Sequence, residues 1–88
     1  DQVADVMRRY PDYSLRISGH TDSVGKADTN QKLSEKSAQA CYQYLIGQGV
    51  DPGRLEFEGF GETRPVGDNR MAKGRKANRR VEFEMFID

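Results

Sequence analysis

Tyr13-Ser14-Leu15-Arg16-Ile17-Ser18-Gly19-His20-Thr21-Asp22 is the stretch whose reading decides the fold. Tyr13, Leu15 and Ile17 alternate with Ser14, Arg16 and Ser18, the period of a strand with one buried face. After Ile17 the pattern breaks. From Gly19 to Asp28 only Val24 and Ala27 are apolar, among Gly, His, Ser, Thr, Asp and Lys. That change predicts an exposed loop directly after the strand, where small polar residues present a ligand site.

Working outward, Val3, Val6, Met7 and Tyr10 recur at helical spacing, and Pro11 with Asp12 ends that helix in a turn. Downstream, Asp28 or Thr29 is an N-cap for a second helix, with Leu33, Ala40, Cys41, Tyr44 and Leu45 as its buried stripe. Gly49 reads as its left-handed C-cap and Val50 as the apolar contact just beyond. Asp51-Pro52-Gly53 is a turn into a strand in which Leu55 and Phe57 alternate with Arg54, Glu56 and Glu58. Gly59, Gly61, Pro65 and Gly67 mark an irregular loop, residues 72–78 a short helix, and Val81, Phe83 and Met85 alternate with Arg80, Glu82 and Glu84 in a last strand. The order predicts an α+β fold, a two-layer sandwich with helices packed on one face of a small mixed β-sheet. The outer faces of the strands, rich in Glu and Arg, are solvated.

The 88 residues, read as one domain over 1–88, are 35% hydrophobic and 32% charged with zero formal net charge. Balanced charge excludes a general nucleic-acid binder, although Gly74-Arg75-Lys76-Ala77-Asn78-Arg79-Arg80 is locally basic. One cysteine, Cys41, excludes an internal disulfide and a paired-cysteine metal cluster. No apolar run approaches the ~20 residues of a membrane span, so direct membrane insertion is not expected. The chain opens at Asp1 directly on helix-like sequence, which points to a fragment of a longer protein.

Three polar clusters carry the chemistry. Gly19-His20-Thr21-Asp22-Ser23 ends the first strand, and His20 is the sole histidine, with no partners at the spacing of a catalytic triad or a metal site. His20 reads as hydrogen-bonded to the local backbone, while Asp22 either caps the loop or binds a cation on a ligand. Asn30, Leu33, Ser34 and Ser37 share one face of the second helix near its positive N-terminal end, which favours a carboxylate. The third cluster is the basic run before the last strand. None pairs a nucleophile with a base or builds a phosphate loop, so no enzyme activity, cofactor or metal is expected.

Taken in order, Gly19-His20-Thr21-Asp22, Asn30-Gln31-Lys32-Leu33-Ser34, Gly59-Phe60-Gly61-Glu62 with Pro65, Asn69, Gly74-Arg75 and Asn78-Arg79-Arg80-Val81-Glu82 resemble the OmpA-like C-terminal domain family. Peptidoglycan-associated lipoproteins and the wall-gripping part of flagellar stator proteins belong to it. The resemblance runs from about Tyr13 to Phe86. It implies an OmpA-like sandwich that binds the peptide stem of peptidoglycan at its diaminopimelate residue, without catalysis. The domain would then anchor a larger protein of the Gram-negative cell envelope, in the periplasm and attached to the outer membrane through its other domains. By the same resemblance Asp22 takes the ligand ammonium, His20 and Thr21 line the pocket, Asn30 hydrogen-bonds the ligand, Leu33 walls it and Arg79 faces it.

Two departures stand out. Fifteen positions after the aspartate, where the family has an arginine that clamps the diaminopimelate carboxylate, this chain has Ser37, within Leu33-Ser34-Glu35-Lys36-Ser37-Ala38. Serine is short and uncharged, and losing a charged hydrogen bond weakens binding roughly ten- to a hundredfold. Arg79 with the helix N-terminus replaces the clamp, or the ligand carries an amidated carboxyl, or wall binding is weakened or lost and the domain serves as a structural or protein-interaction module. Lys36 lies about 100° round the helix from Ser37. The family's first strand is also missing from the chain.

Overall fold

The computed structural model describes residues 2–87. The helix-like opening at Asp1 therefore begins outside the described residues. The described residues form the α-helices α1 (Gln2–Arg9), α2 (Ala27–Gly47) and α3 (Ala72–Asn78), a short 3-10 turn (Pro52–Arg54), and strands β1 (Tyr13–His20), β2 (Leu55–Gly59) and β3 (Arg80–Ile87). The strands form one sheet in the order β2-β1-β3, with β1 parallel to β2 and antiparallel to β3. The fold is α+β with a mixed sheet, as the element order predicts. The β1–β3 register pairs His20 with Arg80 at one end and Tyr13 with Ile87 at the other.

Leu15 and Ile17 of β1 bury their side chains with Ala4 and Met7 of α1, Ala38 and Leu45 of α2, and Val50 and Leu55. Arg54, just ahead of β2, ties this core to its neighbours. Its Nε and Nη2 donate to the Tyr13 carbonyl at 2.9 and 2.7 Å, and Nη2 donates to the Met7 and Tyr10 carbonyls at 2.9 and 2.8 Å. One guanidinium thus ties together carbonyls at the end of α1 and the start of β1.

The C-terminal end of α2 follows its sequence. Gly49 has φ +91°, its N–H donates to the Ile46 carbonyl, and the Val50 N–H reaches back to the Leu45 carbonyl at 3.1 Å. This is the Schellman pattern, with Val50 buried beyond it.

Three expectations are corrected. First, α2 begins at Ala27 with Lys26 at the N-cap and no side-chain cap bond, so neither Asp28 nor Thr29 caps it. Second, the buried stripe of α2 is Asn30, Ser34, Ala38 and Leu45, with Cys41 half-buried. Leu33 and Tyr44 are 51% and 50% exposed, and Ala40 is exposed too. The cause is how close the helix comes to the sheet. Gly19 and Gly59 are register partners on β1 and β2. A Cβ on Gly19 would lie 2.9 Å from the Ser34 carbonyl carbon, and one on Gly59 would lie 2.5 Å from Ser34 Oγ. Only a small residue fits that face of the helix, and it is held by hydrogen bonds rather than by apolar bulk. Ser34 Oγ donates to the Gln31 carbonyl at 2.8 Å and accepts from the Gly61 N–H at 2.8 Å, while Gln31 Nε2 donates to the Gly59 carbonyl at 2.6 Å.

Third, β1 continues through His20, and Gly19, His20 and Asp22 are buried, so the exposed loop is shorter than its polar sequence implies. The loop after β2 stitches this end of β1 in place, through Phe60 N–H to the Gly19 carbonyl and Thr21 N–H to the Gly61 carbonyl, both at 2.9 Å. The short helix α3 and the last strand lie where the sequence puts them, although Phe83 and Phe57 remain partly exposed on outer strands.

Candidate functional site

The end of β1, the first turns of α2 and the start of β3 converge because β1 ends where the antiparallel β3 begins. Between them lies an open pocket of about 630 Å³ lined by His20, Thr21, Asp22, Val24, Asn30, Leu33, Ser37, Arg79, Arg80 and Val81. All seven residues singled out from the sequence share it: His20, Thr21 and Asp22 from β1 and the following turn, Asn30, Leu33 and Ser37 from α2, and Arg79 from the junction of α3 and β3.

Asp22 is 8% exposed. Its Oδ1 accepts from the Val24 N–H at 2.9 Å and its Oδ2 from Arg79 Nη1 at 2.7 Å. The Val24 hydrogen bond first, and then Arg79, hold the carboxyl below its ordinary 3.8, so Asp22 is an anion at neutral pH. The two alternatives for Asp22 are thus compatible: it caps its own turn and still presents charge to the pocket. The Asn30 amide nitrogen donates to the Asp22 and Val24 carbonyls at 3.3 and 3.0 Å, with Glu62 Oε1 at 3.5 Å. Asn30 is therefore first a brace for the loop, and its Oδ1 accepts no bond among the described residues. Thr21 Oγ1 donates to the Asp22 carbonyl at 2.9 Å.

His20 corrects its sequence reading. Its side chain is 2% exposed, and neither ring nitrogen makes a hydrogen bond among the described residues, to backbone or otherwise. Nε2 lies 3.3 Å from Glu82 Oε1, within ion-pair distance but outside hydrogen-bond geometry. The imidazole stacks instead on Phe60, with centroids 5.6 Å apart and planes at 15°. Burial, and then the positive charge of Arg80, push its pKa below 6.5 against the opposing pull of Glu82. A neutral ring at the pocket wall is the result.

A model of the OmpA family matches residues 1–79. The chain belongs to the OmpA family. Outer membrane porin F of Pseudomonas aeruginosa is 51% identical over 84 residues, which are 94% of this chain and 24% of porin F. The peptidoglycan-binding protein ArfA of Mycobacterium bovis is 35% identical over 94% of this chain and 26% of its own length. The crystal structure of the peptidoglycan-associated lipoprotein from Burkholderia pseudomallei superposes with a TM-score of 0.91 at 27% identity, covering 97% of this chain and 72% of that one. This OmpA-family chain thus spans about a quarter of the length of porin F and ArfA. The family is one of binding domains and not of enzymes. Among the described residues of this OmpA-family chain, no group of three His, Cys, Asp or Glu side chains could hold a metal ion.

The sequence reading missed three residues that line the OmpA-family pocket: Val24, Arg80 and Val81. Val24 was visible as one of two apolar residues in a polar loop. Arg80 and Val81 sit in the Asn-Arg-Arg-Val motif, but which arginine faces the pocket depends on where β3 begins. Neither residues 27–29 at the start of α2 nor Lys36 lines the pocket.

Proposed function

We propose that this chain is a non-catalytic wall-binding domain that holds the peptide stem of peptidoglycan at its diaminopimelate residue. In this reading it anchors a larger outer-membrane or periplasmic protein from the periplasmic side, and residues 1–88 form one domain of that protein. The observation that carries the reading is the Asp22–Arg79 ion pair, 2.7 Å long, in a pocket of mixed polar and apolar lining walled by Leu33. A buried, ionised carboxylate with a free lone pair on each oxygen suits a ligand ammonium, and the exposed Leu33 suits the aliphatic part of a diaminopimelate side chain. Support also comes from the relatives named for peptidoglycan.

The test is co-sedimentation with purified sacculi. Wild type is expected in the pellet and Asp22→Asn, which keeps the turn's hydrogen bonds but drops the charge, in the supernatant. Wild type that stays in solution while Ser37→Arg pellets would favour the second reading, which Ser37 motivates: a domain that has kept the fold for a protein partner and weakened its hold on the wall.

Acid should release the domain at a defined point. The pKa of Asp22 lies below 3.8 in the folded state, so the favourable charge is present above that value and is lost as pH falls through the lowered one. Sedimentation should be constant from neutral pH down to about 4 and decline only below the ordinary carboxylate range. A midpoint at pH 5 or higher would mean that another group governs binding.

A further inference from the structure

The wall-binding reading leaves one chemical question, which is what receives the ligand carboxylate in a pocket where position 37 is serine. The pocket is lined by two cations, Arg79 and Arg80. Arg80 is engaged through all three of its nitrogens: Nε donates to Glu82 Oε2 at 2.8 Å, Nη1 to the Asn78 carbonyl at 3.2 Å and Nη2 to the Arg64 carbonyl at 2.9 Å. Its side chain is 18% exposed. Arg79 differs on both counts. Its side chain is 56% exposed, and only Nη1 is bonded, to Asp22, so Nε and Nη2 have no partner among the described residues. Residues 27–29 of α2 and Lys36 are outside the pocket lining, and Ser37 offers a single neutral hydroxyl.

We propose that Arg79 takes the ligand carboxylate in this domain, so that the Asp22–Arg79 pair reads one free amino-acid head group, ammonium and carboxylate on the same carbon. The inference rests on the wall-binding reading and narrows it to stems whose terminal diaminopimelate carboxyl is free. The geometry is suited to this. Nη1 holds Asp22, which leaves the Nε–Nη2 edge of the guanidinium for a two-pronged bond to a carboxylate. The two charges of the pair are adjacent because they are bonded to each other, and the two charges of an amino-acid head group are adjacent because one carbon carries both. The head group can therefore oppose the pair charge for charge, without breaking it. A carboxamide in the same place is neutral and would leave that edge of Arg79 with a single carbonyl acceptor.

The experiment uses two synthetic stems, L-Ala-γ-D-Glu-meso-diaminopimelate with its distal carboxyl free and the same peptide with that carboxyl amidated. In each, the amine on the distal carbon stays free and the carboxyl on the peptide-linked carbon is amidated, so only the distal end can form the head group. Binding is followed by amide chemical-shift titration of wild type, Arg79→Ala, Arg79→Lys and Arg79→Ala/Ser37→Arg, with sacculus sedimentation in parallel. Wild type is expected to bind the acid about ten- to a hundredfold more tightly than the amide. Arg79→Ala should lose that preference while keeping the wild-type amide spectrum away from the pocket, Arg79→Lys should keep part of it, and the double variant should regain it. The proposal is overturned if wild type binds the amide as well as the acid or better, or if Arg79→Ala still prefers the acid. In either case wild type that sediments with sacculi leaves the wall-binding reading intact. Wild type that neither sediments nor titrates removes both.

Discussion

Gly19→Ala is expected to lower the melting temperature by about 15 °C, corresponding to a destabilisation of about 3 kcal/mol in a domain of this size. The added methyl would lie 2.9 Å from the Ser34 carbonyl carbon and closer still to its oxygen. Its neighbours are backbone atoms of a long helix, not the movable end of a side chain. Relief requires α2 to lift from the sheet. That movement would stretch the Ser34–Gly61 and Gln31–Gly59 hydrogen bonds, which hold the helix down. Gly47→Ala is the control. It is a helical glycine with nothing within 4 Å of a new Cβ, and alanine there should stabilise by about 0.5–1 kcal/mol. Thermal unfolding followed by circular dichroism separates the two. A Gly19→Ala protein that melts within a few degrees of wild type would show that the helix has room to move.

The second large effect is expected at Asn78, which is 0% exposed. Its Oδ1 accepts from the Val66 and Gly67 N–H groups at 2.7 and 2.8 Å, and its Nδ2 donates to the Gly67 carbonyl at 3.0 Å and Asn69 Oδ1 at 2.8 Å. One amide thus folds the loop between β2 and α3 onto the end of α3. Asn78→Ala removes all four bonds and should cost about 3 kcal/mol, since buried partners are left unsatisfied. Asn78→Asp keeps the acceptor but turns the donor into an oxygen facing two other oxygens. Folding then favours the protonated acid, whose pKa rises above its unfolded value. The deficit of that variant should be small below the unfolded carboxylate pKa of about 3.9 and grow as pH rises through the folded one. A deficit that does not change with pH would place the damage elsewhere. Because Asn78 immediately precedes Arg79, both variants should also weaken sedimentation with sacculi, although Asn78 lines no part of the pocket.

The fold was largely legible because its strands alternate cleanly and its turns use glycine and proline where the backbone needs them. Residues 13–17, Gly49 with Val50, and residues 72–78 each carry a local signal that the tertiary structure leaves unchanged. The stripe of α2 was not legible. Periodicity assigns apolar side chains to the interior, yet the half of α2 that meets Gly19 and Gly59 is buried through Asn30, Gln31 and Ser34. Close backbone approach there makes size and hydrogen bonding decisive, and Leu33, displaced from the core, is left to wall the pocket. The same limit applies to His20, whose stacking on Phe60 joins residues forty positions apart. The candidate site came from the ordered motifs of a family. Composition and spacing alone left Asp22 with two roles and gave no reason to prefer Arg79 over Arg80.

The antiparallel register of β1 and β3 also has a mechanical meaning. The pocket lies at the end where His20 pairs with Arg80, and Ile87 lies at the opposite end beside Tyr13. A pull between the His20 end of β1 and Ile87 at the end of β3 therefore runs along the strands. Under such a pull the β1–β3 ladder is sheared, and its cross-strand hydrogen bonds share the load together. A pull across the strands would break them one after another, as a zip opens. A load applied in this orientation therefore meets the whole ladder at once, the stiffest way to load a pair of strands.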